Sequence, residues 1–223
     1  MAVKNDDYPD RRAEREWMVD SQLANRGIKN EAVLASMRTV PRHLFVRPDL
    51  AEYAYYDEPL PIAQGQTISQ PYIVALMAEA LEPAAGDRML EIGTGSGYSA
   101  AVLAQIVSQV YTIERHQELA EQALARFRDL RYYNITVRIA DGTRGWPEQS
   151  PFNCILVTAG GPAVPQSLKN QLAVGGRLVI PIGIKGEQQL IRICRSSEYQ
   201  FVEESLGRVR FVPLVGEEGW TFV

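Results

Sequence analysis

The sequence is short of several features that define common protein classes. Its 223 residues contain only two cysteines, Cys154 and Cys194, too few for a disulfide framework or a zinc site of ordinary spacing. No apolar run exceeds about seven residues, whereas a membrane-spanning helix needs roughly 20. Basic residues are not in excess, because 23 Lys and Arg face 27 Asp and Glu, for a net charge of −4. These shortages argue against a disulfide-stapled secreted protein, a membrane-spanning protein and a protein built around phosphate neutralisation.

The N-terminal region also lacks the pattern of an export signal. Arg11 and Arg12 form an arginine pair, but no apolar stretch follows them. The basic residues between 126 and 138 are interpreted as a solvated helix face and not as a nucleic-acid site. We therefore expect a cytoplasmic protein that binds neither membranes nor nucleic acids, with no metal site.

What is present is a sizeable apolar fraction, 46%, arranged in three parts. Residues 1–84 suggest three helices. The first spans residues 11–26, and the second begins after the N-cap Asn30. The third begins after the N-cap Ser69, with Pro71 in its first turn. Residues 85–184 alternate short apolar strands with helices. Residues 185–223 suggest further strands, at 189–195, 199–203 and 206–214. The three parts are expected to form one domain, residues 1–223.

The alternation in residues 85–184 predicts the fold class. Near-continuous apolar strands separated by helices are typical of a parallel sheet that is covered on both faces. We therefore expect an α/β protein with a Rossmann-like, doubly wound, mostly parallel sheet. An N-terminal helical extension precedes the sheet, and C-terminal edge strands complete it.

A glycine-rich loop follows the first strand of this part. Residues 90–97 read Leu-Glu-Ile-Gly-Thr-Gly-Ser-Gly, which places Glu91 before the loop and Gly93, Thr94, Gly95, Ser96 and Gly97 within it. Such a loop brings backbone N–H groups close to a ligand at the carboxyl end of a strand. Alone it is also compatible with a simple tight turn between a strand and a helix.

Two acidic positions favour the binding of a nucleoside. Glu114 ends the next strand, 23 residues after Glu91, where a carboxylate accepts hydrogen bonds from ribose hydroxyls. Asp141 and Gly142 end the third strand, 27 residues after Glu114, where an acid can meet the amino group of an adenine. All three loop tips are expected at one edge of the sheet.

The glycine spacing distinguishes among adenosine-containing ligands. A dinucleotide-binding G-x-G-x-x-G motif requires glycine at position 98, which is Tyr98, and no P-loop motif occurs. The observed pattern resembles the E/D-x-G-x-G-x-G motif of S-adenosylmethionine-dependent methyltransferases. A nicotinamide oxidoreductase and a non-catalytic adenosine-ligand sensor remain as alternatives. So does a methyltransferase of RNA or of a small molecule, although residues 158–161 lack the Asn/Asp-Pro-Pro-Tyr motif of many RNA enzymes.

Further segments resemble the protein-L-isoaspartate O-methyltransferase family. They are residues 26–28, 40–46, 54–62, 65–72, 110–115, 145–147, 171–172, 175–183 and 211–220. The blocks 65–72 and 211–220 are the most specific to this family. The resemblance implies a cytosolic, monomeric enzyme that transfers a methyl group from S-adenosylmethionine to the free carboxylate of L-isoaspartyl residues in damaged proteins and peptides. The ester then closes to a succinimide, which begins repair.

The resemblance also assigns roles to individual residues. Ser69 is the expected active-site residue, as a hydrogen-bond donor to the substrate carboxylate. Cofactor contacts are expected from Thr67, Ile68, Glu91, Gly93, Thr94, Gly95, Ser96, Gly97, Glu114, Arg115, Asp141 and Gly142. Substrate contacts are expected from Asp57, Ser69, Thr158, Val212 and Val215. Purely structural alternatives are a helix N-cap for Ser69, a turn aspartate for Asp57 and ordinary sheet structure for Thr158 and residues 211–215.

Overall fold

The computed structural model describes residues 10–221, so residues 1–9 and 222–223 of the expected domain lie outside it. The helices are α1 (Arg12–Trp17), α2 (Glu31–Thr39), α3 (Pro71–Ala80), α4 (Tyr98–Ala104), α5 (Gln117–Asp129) and α6 (Gln166–Gln171). The strands are β1 (Leu60–Pro61), β2 (Thr67–Ile68), β3 (Arg88–Ile92), β4 (Gln109–Glu114), β5 (Ile135–Ile139), β6 (Phe152–Val157), β7 (Leu172–Ile184), β8 (Glu187–Arg195) and β9 (Phe201–Val209). None of the helices in this range is long and apolar enough to cross a bilayer.

Seven strands form one twisted sheet in the order β5-β4-β3-β6-β7-β8-β9. The pairs from β5 to β7 are parallel, whereas β7–β8 and β8–β9 are antiparallel. The chain builds outward from β3 to β5 and then crosses to β6 on the other side of β3. This confirms the predicted doubly wound, mostly parallel fold, and it creates a topological switch point at the carboxyl ends of β3 and β6.

The sheet is buried on both faces, as the strand composition predicts. Along β3, Met89 packs into one apolar cluster, while Leu90 and Ile92 pack into the other. The first cluster joins the N-terminal helices to α4 and α5, and the second lies under α6. This alternation follows from the two-residue repeat of a strand. The N-terminal extension is thus continuous with the main core.

The N-terminal helices form largely where the sequence predicts them. The helix expected at 11–26 is present, but α1 continues into a wider π-helical turn over Met18–Leu23 and a 3₁₀ turn over Ala24–Arg26. It ends at Gly27, whose φ of 100° lies in the region that glycine favours. Asn30 caps α2 as expected, since its side chain accepts a hydrogen bond from the backbone N–H of Val33.

Ser69 is not a helix cap, contrary to one sequence-based expectation. Helix α3 begins at Pro71 after Gln70, whose side chain makes no capping hydrogen bond. The carboxylate of Asp57 instead accepts a hydrogen bond from the backbone N–H of Tyr72, over 2.8 Å. A remote acid therefore satisfies a backbone donor at this helix terminus.

The C-terminal strands also differ from the prediction. Residues 201–209 form the single strand β9 where two strands were expected, at 199–203 and 206–214. Beyond it the chain leaves the sheet edge and joins Gly160, which donates to the carbonyl of Val212 and accepts from the N–H of Leu214, both over 2.8 Å. Pro213 between them has no N–H to contribute to a continuous sheet ladder. Residues 211–215 consequently cross the end of the sheet instead of extending its edge.

Candidate active site

A cavity opens at the switch point of the sheet. We call it the inner cavity, and it is lined by residues 66–69, 92–96, 98–99, 113–116, Gly142, residues 158–159 and residues 212–215. It contains about 910 Å³ of empty space, which includes the open solvent at its mouth. Loops from all three parts of the chain therefore wall one site.

The glycine loop is held in a conformation that side chains would obstruct. Gly93, Gly95 and Gly97 have φ values of 97°, 53° and 88°. A Cβ atom on Gly93 would stand 2.4 Å from Oγ1 of Thr158, which donates to the carbonyl oxygens of Ile92 and Gly93 over 3.0 and 2.8 Å. Thr158 lines the inner cavity, and the same side chain fixes the start of the loop.

Gly97 serves packing and does not line the inner cavity. It precedes α4, and a Cβ atom there would stand 2.7 Å from Cζ of Phe127 on α5. The observed role of Gly97 is close packing of the loop on a helix, and its contact with the cofactor stays a prediction. Thr94, Gly95 and Ser96 do line the cavity, together with Gly93.

Glu91 lies behind the loop and does not line the inner cavity, and its direct contact with a ligand stays a prediction. Its Oε2 atom accepts a hydrogen bond from Thr112 over 2.6 Å, and Oγ1 of Thr112 lies 2.7 Å from Oγ1 of Thr94. Burial raises the pKa of Glu91 to about 8. A neutral carboxyl group at this position supports the loop through a chain of hydroxyls.

Glu114 lies on the cavity wall, as the sequence predicts. Its two carboxylate oxygens accept hydrogen bonds from the backbone N–H groups of Gly95, over 2.9 Å, and His116, over 3.0 Å. Because a carboxylate has about four acceptor positions, it retains capacity for ribose hydroxyls. Arg115 also lines the cavity.

The third loop tip presents Gly142 to the cavity and turns Asp141 away. Asp141 accepts hydrogen bonds from the backbone N–H of Glu217 and from the N–H and hydroxyl of Thr143, over 2.8, 2.9 and 2.7 Å. Burial opposes its ionisation, but these hydrogen bonds hold the pKa of Asp141 below its ordinary value. This carboxylate thus contacts the C-terminal segment, and its contact with an adenine amino group stays a prediction.

The predicted active-site residue lies where two spaces meet. Thr67 and Ser69 line the inner cavity and also an adjoining outer groove. The outer groove is lined by Arg26, Pro59, Thr67, Ser69, Gln70, Tyr72, Ile73, Thr158, Gly186, Glu187 and residues 208–212. Ile68 and Val215 line only the inner cavity, whereas Val212 lines both spaces.

Asp57 lines neither space, and its contact with the substrate stays a prediction. Its carboxylate forms an ion pair with Arg26 and accepts hydrogen bonds from the N–H of Tyr72 and the amide of Gln70, over 2.8 and 3.1 Å. It orients the segment that carries Ser69.

Sequence reasoning missed several wall residues. Ile92 is the last residue of β3, and Ile113 precedes Glu114, the last residue of β4, so the topology alone could have indicated both. Tyr98 was considered only as a missing glycine, yet it lines the cavity and is almost fully buried. Gln66, Ser99, His116, Ala159, Pro213 and Leu214 complete the wall.

The wall matches the chemistry of an adenosine ligand that carries a positive sulfonium group. Ile92, Ile113 and Leu214 offer apolar faces, and Glu114 offers a carboxylate close to the loop N–H groups. A Cβ atom at Gly142 would stand 2.4 Å from Cγ2 of Ile92, so only glycine lets the third loop approach the first this closely. The residues present fit S-adenosylmethionine.

The switch-point cavity, with this glycine loop and Glu114 on its wall, is the arrangement expected of S-adenosylmethionine-dependent methyltransferases, and the family match places the chain in that class. The model of the protein-L-isoaspartate(D-aspartate) O-methyltransferase family matches residues 13–219. The chain belongs to this family. Family membership decides against the oxidoreductase, the non-catalytic sensor and the methyltransferase of another substrate class.

Relatives agree along almost the whole chain. A protein-L-isoaspartate O-methyltransferase of Pelotomaculum thermopropionicum is 59% identical over 219 residues, covering 98% of this chain and 96% of the relative. One from Pelobacter propionicus is 56% identical over 220 residues, with coverage of 98% and 96%.

Solved structures show the same fold. A protein-L-isoaspartate O-methyltransferase structure superimposes with a TM-score of 0.82 at 28% identity, over 93% of this chain and 67% of that chain. A second structure of that name, from Plasmodium falciparum, was solved in complex with S-adenosyl-L-homocysteine. It superimposes with a TM-score of 0.77 at 26% identity, over 90% of this chain and 98% of that chain.

Proposed function

We propose that Ser69 positions the carboxylate of an L-isoaspartyl residue for methylation by S-adenosylmethionine, the reaction of the family to which the chain belongs. The observation that carries this proposal is that Ser69 lines both the inner cavity and the outer groove. Its hydroxyl makes no hydrogen bond to another side chain or backbone group among residues 10–221. It is therefore available to a substrate oxygen at the point where a polypeptide in the groove would meet a cofactor in the cavity.

The reaction needs little acid–base chemistry from the protein. A carboxylate with an ordinary pKa of about 4 is already ionised at neutral pH, so no general base has to remove a proton. S-adenosylmethionine supplies the methyl group as a sulfonium when it is bound. Because opposite charges are neutralised in the transition state, a strongly polar site would stabilise the separated ions more than the transition state. The residues of this chain consequently act through alignment, which can supply about 7–11 kcal/mol.

The remaining contacts divide between the two spaces. Thr67, Ile68, Arg115 and the glycine loop face the cofactor, and Glu114 accepts from its ribose. Thr158 and Val212 line both spaces and would hold the substrate backbone near Ser69, while Val215 would act from the inner cavity. The proposal includes a monomeric enzyme in the cytoplasm, where the free thiols of Cys154 and Cys194 stay reduced.

The test compares Ser69→Ala with Ser197→Ala, the same chemical change at an exposed turn outside both spaces. Each protein receives labelled S-adenosylmethionine with an isoaspartyl peptide or its aspartyl twin. Wild type and Ser197→Ala should transfer label only to the isoaspartyl peptide, as a base-labile ester. For Ser69→Ala, kcat should fall about 10- to 100-fold, the effect of one hydrogen bond to a charged group. The Kd for S-adenosylhomocysteine should change less than twofold. Undiminished turnover in Ser69→Ala would overturn the assigned role.

A further inference from the structure

The outer groove carries a local excess of positive charge on a chain that is acidic as a whole. Arg208 and Arg210 both line it and are exposed. Their spacing of two residues at the end of β9 places them on one side of an extended chain. Neither side chain forms an ion pair or a hydrogen bond with another residue in the range 10–221.

Most other arginines among residues 10–221 have an acidic partner. Arg144 pairs with Glu217 over 2.6 Å, and Arg177 pairs with Glu82 over 2.5 Å. The third guanidinium group of the groove, that of Arg26, pairs with Asp57 and lies 3.7 Å from the ring centroid of Tyr72. Its position is thus fixed and its charge largely compensated.

The groove contains one acidic side chain, Glu187, among the residues that line it. It forms no ion pair with Arg208 or Arg210 within 4.0 Å, although all three line the same space. With Arg26 compensated by Asp57, the two free arginines and Glu187 leave one net positive charge. A polypeptide lying in the groove would meet two guanidinium groups with unused donors.

We propose that Arg208 and Arg210 are specificity-determining residues that favour isoaspartyl segments with Asp or Glu beside the isoaspartyl residue. This inference rests on the proposed function, because it treats the outer groove as the polypeptide side of Ser69. Guanidinium groups form paired hydrogen bonds with carboxylates, and two such groups on one side can contact successive acidic residues. The pairs are exposed, so the expected gain is about two- to fivefold per pair and decreases with added salt.

The gain should appear in kcat/KM and leave kcat nearly unchanged. A charge at the edge of a binding site changes encounter and binding more than it changes the aligned complex. The neutralising change at Glu187, Glu187→Gln, should widen the preference for acidic peptides, since it removes the opposing charge from the same groove.

The experiment uses a set of isoaspartyl peptides. At each of the three positions on either side of the isoaspartyl residue, one at a time, the peptide carries Glu, Gln or Lys. For wild type, kcat/KM should decrease from the Glu peptide to the Gln peptide to the Lys peptide at one or more positions. These differences should shrink at 0.5 M salt. Arg208→Gln/Arg210→Gln should abolish this order. Arg208→Glu/Arg210→Glu should reverse the order. Arg128→Gln removes one charge from an exposed position on α5 and should keep it.

The outcomes separate this inference from the proposed function. Equal kcat/KM for all three peptide versions in wild type would overturn the specificity alone, as would an unchanged order in the double Gln variant. An order that persists fully at high salt would also overturn it. If wild type methylates none of the isoaspartyl peptides, the proposed function fails and the inference fails with it.

Discussion

Glu91 combines complete burial with an incomplete set of hydrogen bonds. It is fully inaccessible to solvent, its Oε2 atom accepts from Thr112, and its Oε1 atom has no partner among residues 10–221. An ionised carboxylate in that position would be poorly compensated. Burial accordingly raises its pKa to about 8, with a further small contribution from the negative charge of Glu114. At neutral pH the side chain is a hydrogen-bonding neutral acid.

This makes stability depend on pH in a defined direction. Between the unfolded pKa of 4.5 and the folded pKa of about 8, the folded chain keeps a proton that the unfolded chain releases. The free energy of unfolding therefore falls as pH rises through this range and levels off above it. Glu91→Gln lacks this slope, so it should match wild type near pH 4.5 and exceed it by more than about 1 kcal/mol at pH 8.5.

Urea unfolding followed by circular dichroism between pH 4.5 and 9 measures this difference. Glu121→Gln, an exposed position on α5, controls for the loss of a carboxylate elsewhere. Parallel curves for wild type and Glu91→Gln would show that Glu91 is ionised in the folded protein.

The types of residue at the site could be predicted from the sequence more readily than their orientation. Strand ends and loop spacing placed Glu114 and Gly142 at the correct edge of the sheet. Glu91 and Asp141 were placed at the same edge, but their carboxylates turn toward donors 21 and 76 residues away, on Thr112 and Glu217. Such long-range partners leave no trace in local spacing, so the direction of a side chain could not be inferred.

The same limit applies to whole elements. The sequence predicts strands at residues 88–92, 110–114 and 135–140. The strands β3, β4 and β5 begin and end within one residue of these positions, because apolar composition and flanking turns determine them locally. Residues 211–215 also have strand-like composition, yet they bond to Gly160 at the end of the sheet. Their partner lies about 50 residues earlier in the chain, and only the packed structure brings the two segments together.

The C-terminal turn, residues 216–220, holds residues 212–215 against the inner cavity. Glu217 and Glu218 donate backbone N–H groups to Asp141 and Thr143, over 2.8 and 3.1 Å. The indole N–H of Trp220 donates to the carbonyl of Gly160 over 3.0 Å. This element closes one wall of the cofactor site through the loop after β5.

Asp141→Asn should loosen this wall. The amide keeps one acceptor oxygen and places an NH₂ group where the other carboxylate oxygen accepted. One backbone N–H, that of Glu217 or that of Thr143, therefore loses its partner at a cost of about 1–3 kcal/mol. We expect a lower Tm and a Kd for S-adenosylhomocysteine about 5- to 50-fold higher, measured by calorimetry. Arg144→Gln is the matched control, since it breaks an exposed ion pair worth at most about 1 kcal/mol and leaves the turn's backbone bonds intact. If both variants bind S-adenosylhomocysteine with equal affinity, the C-terminal turn does not contribute to cofactor binding.

At the scale of the whole molecule, the three parts of the chain share one core and one site. One apolar cluster contains Met18 from the first part, Leu103 from the second and Leu190 from the third. The inner cavity is likewise walled by residues 66–69, 92–96 and 212–215. The net charge of the chain is mildly negative, but the charges are unevenly distributed, because the outer groove beside Ser69 is locally positive. Local donors, and not overall attraction, must therefore capture an anionic substrate.

A shared core and site predict that the molecule unfolds as one unit. Each part contains one tryptophan, at Trp17, Trp146 and Trp220. Variants that keep a single tryptophan, with the other two changed to Phe, should each show one thermal transition at the Tm that circular dichroism gives for that variant. S-adenosylhomocysteine at 100 times its Kd adds about 2.7 kcal/mol to folded stability, which should raise all three transitions together by roughly 5–11 °C. A Trp17 transition that does not move with the ligand would show that the N-terminal helices unfold separately and that the single-domain prediction is wrong.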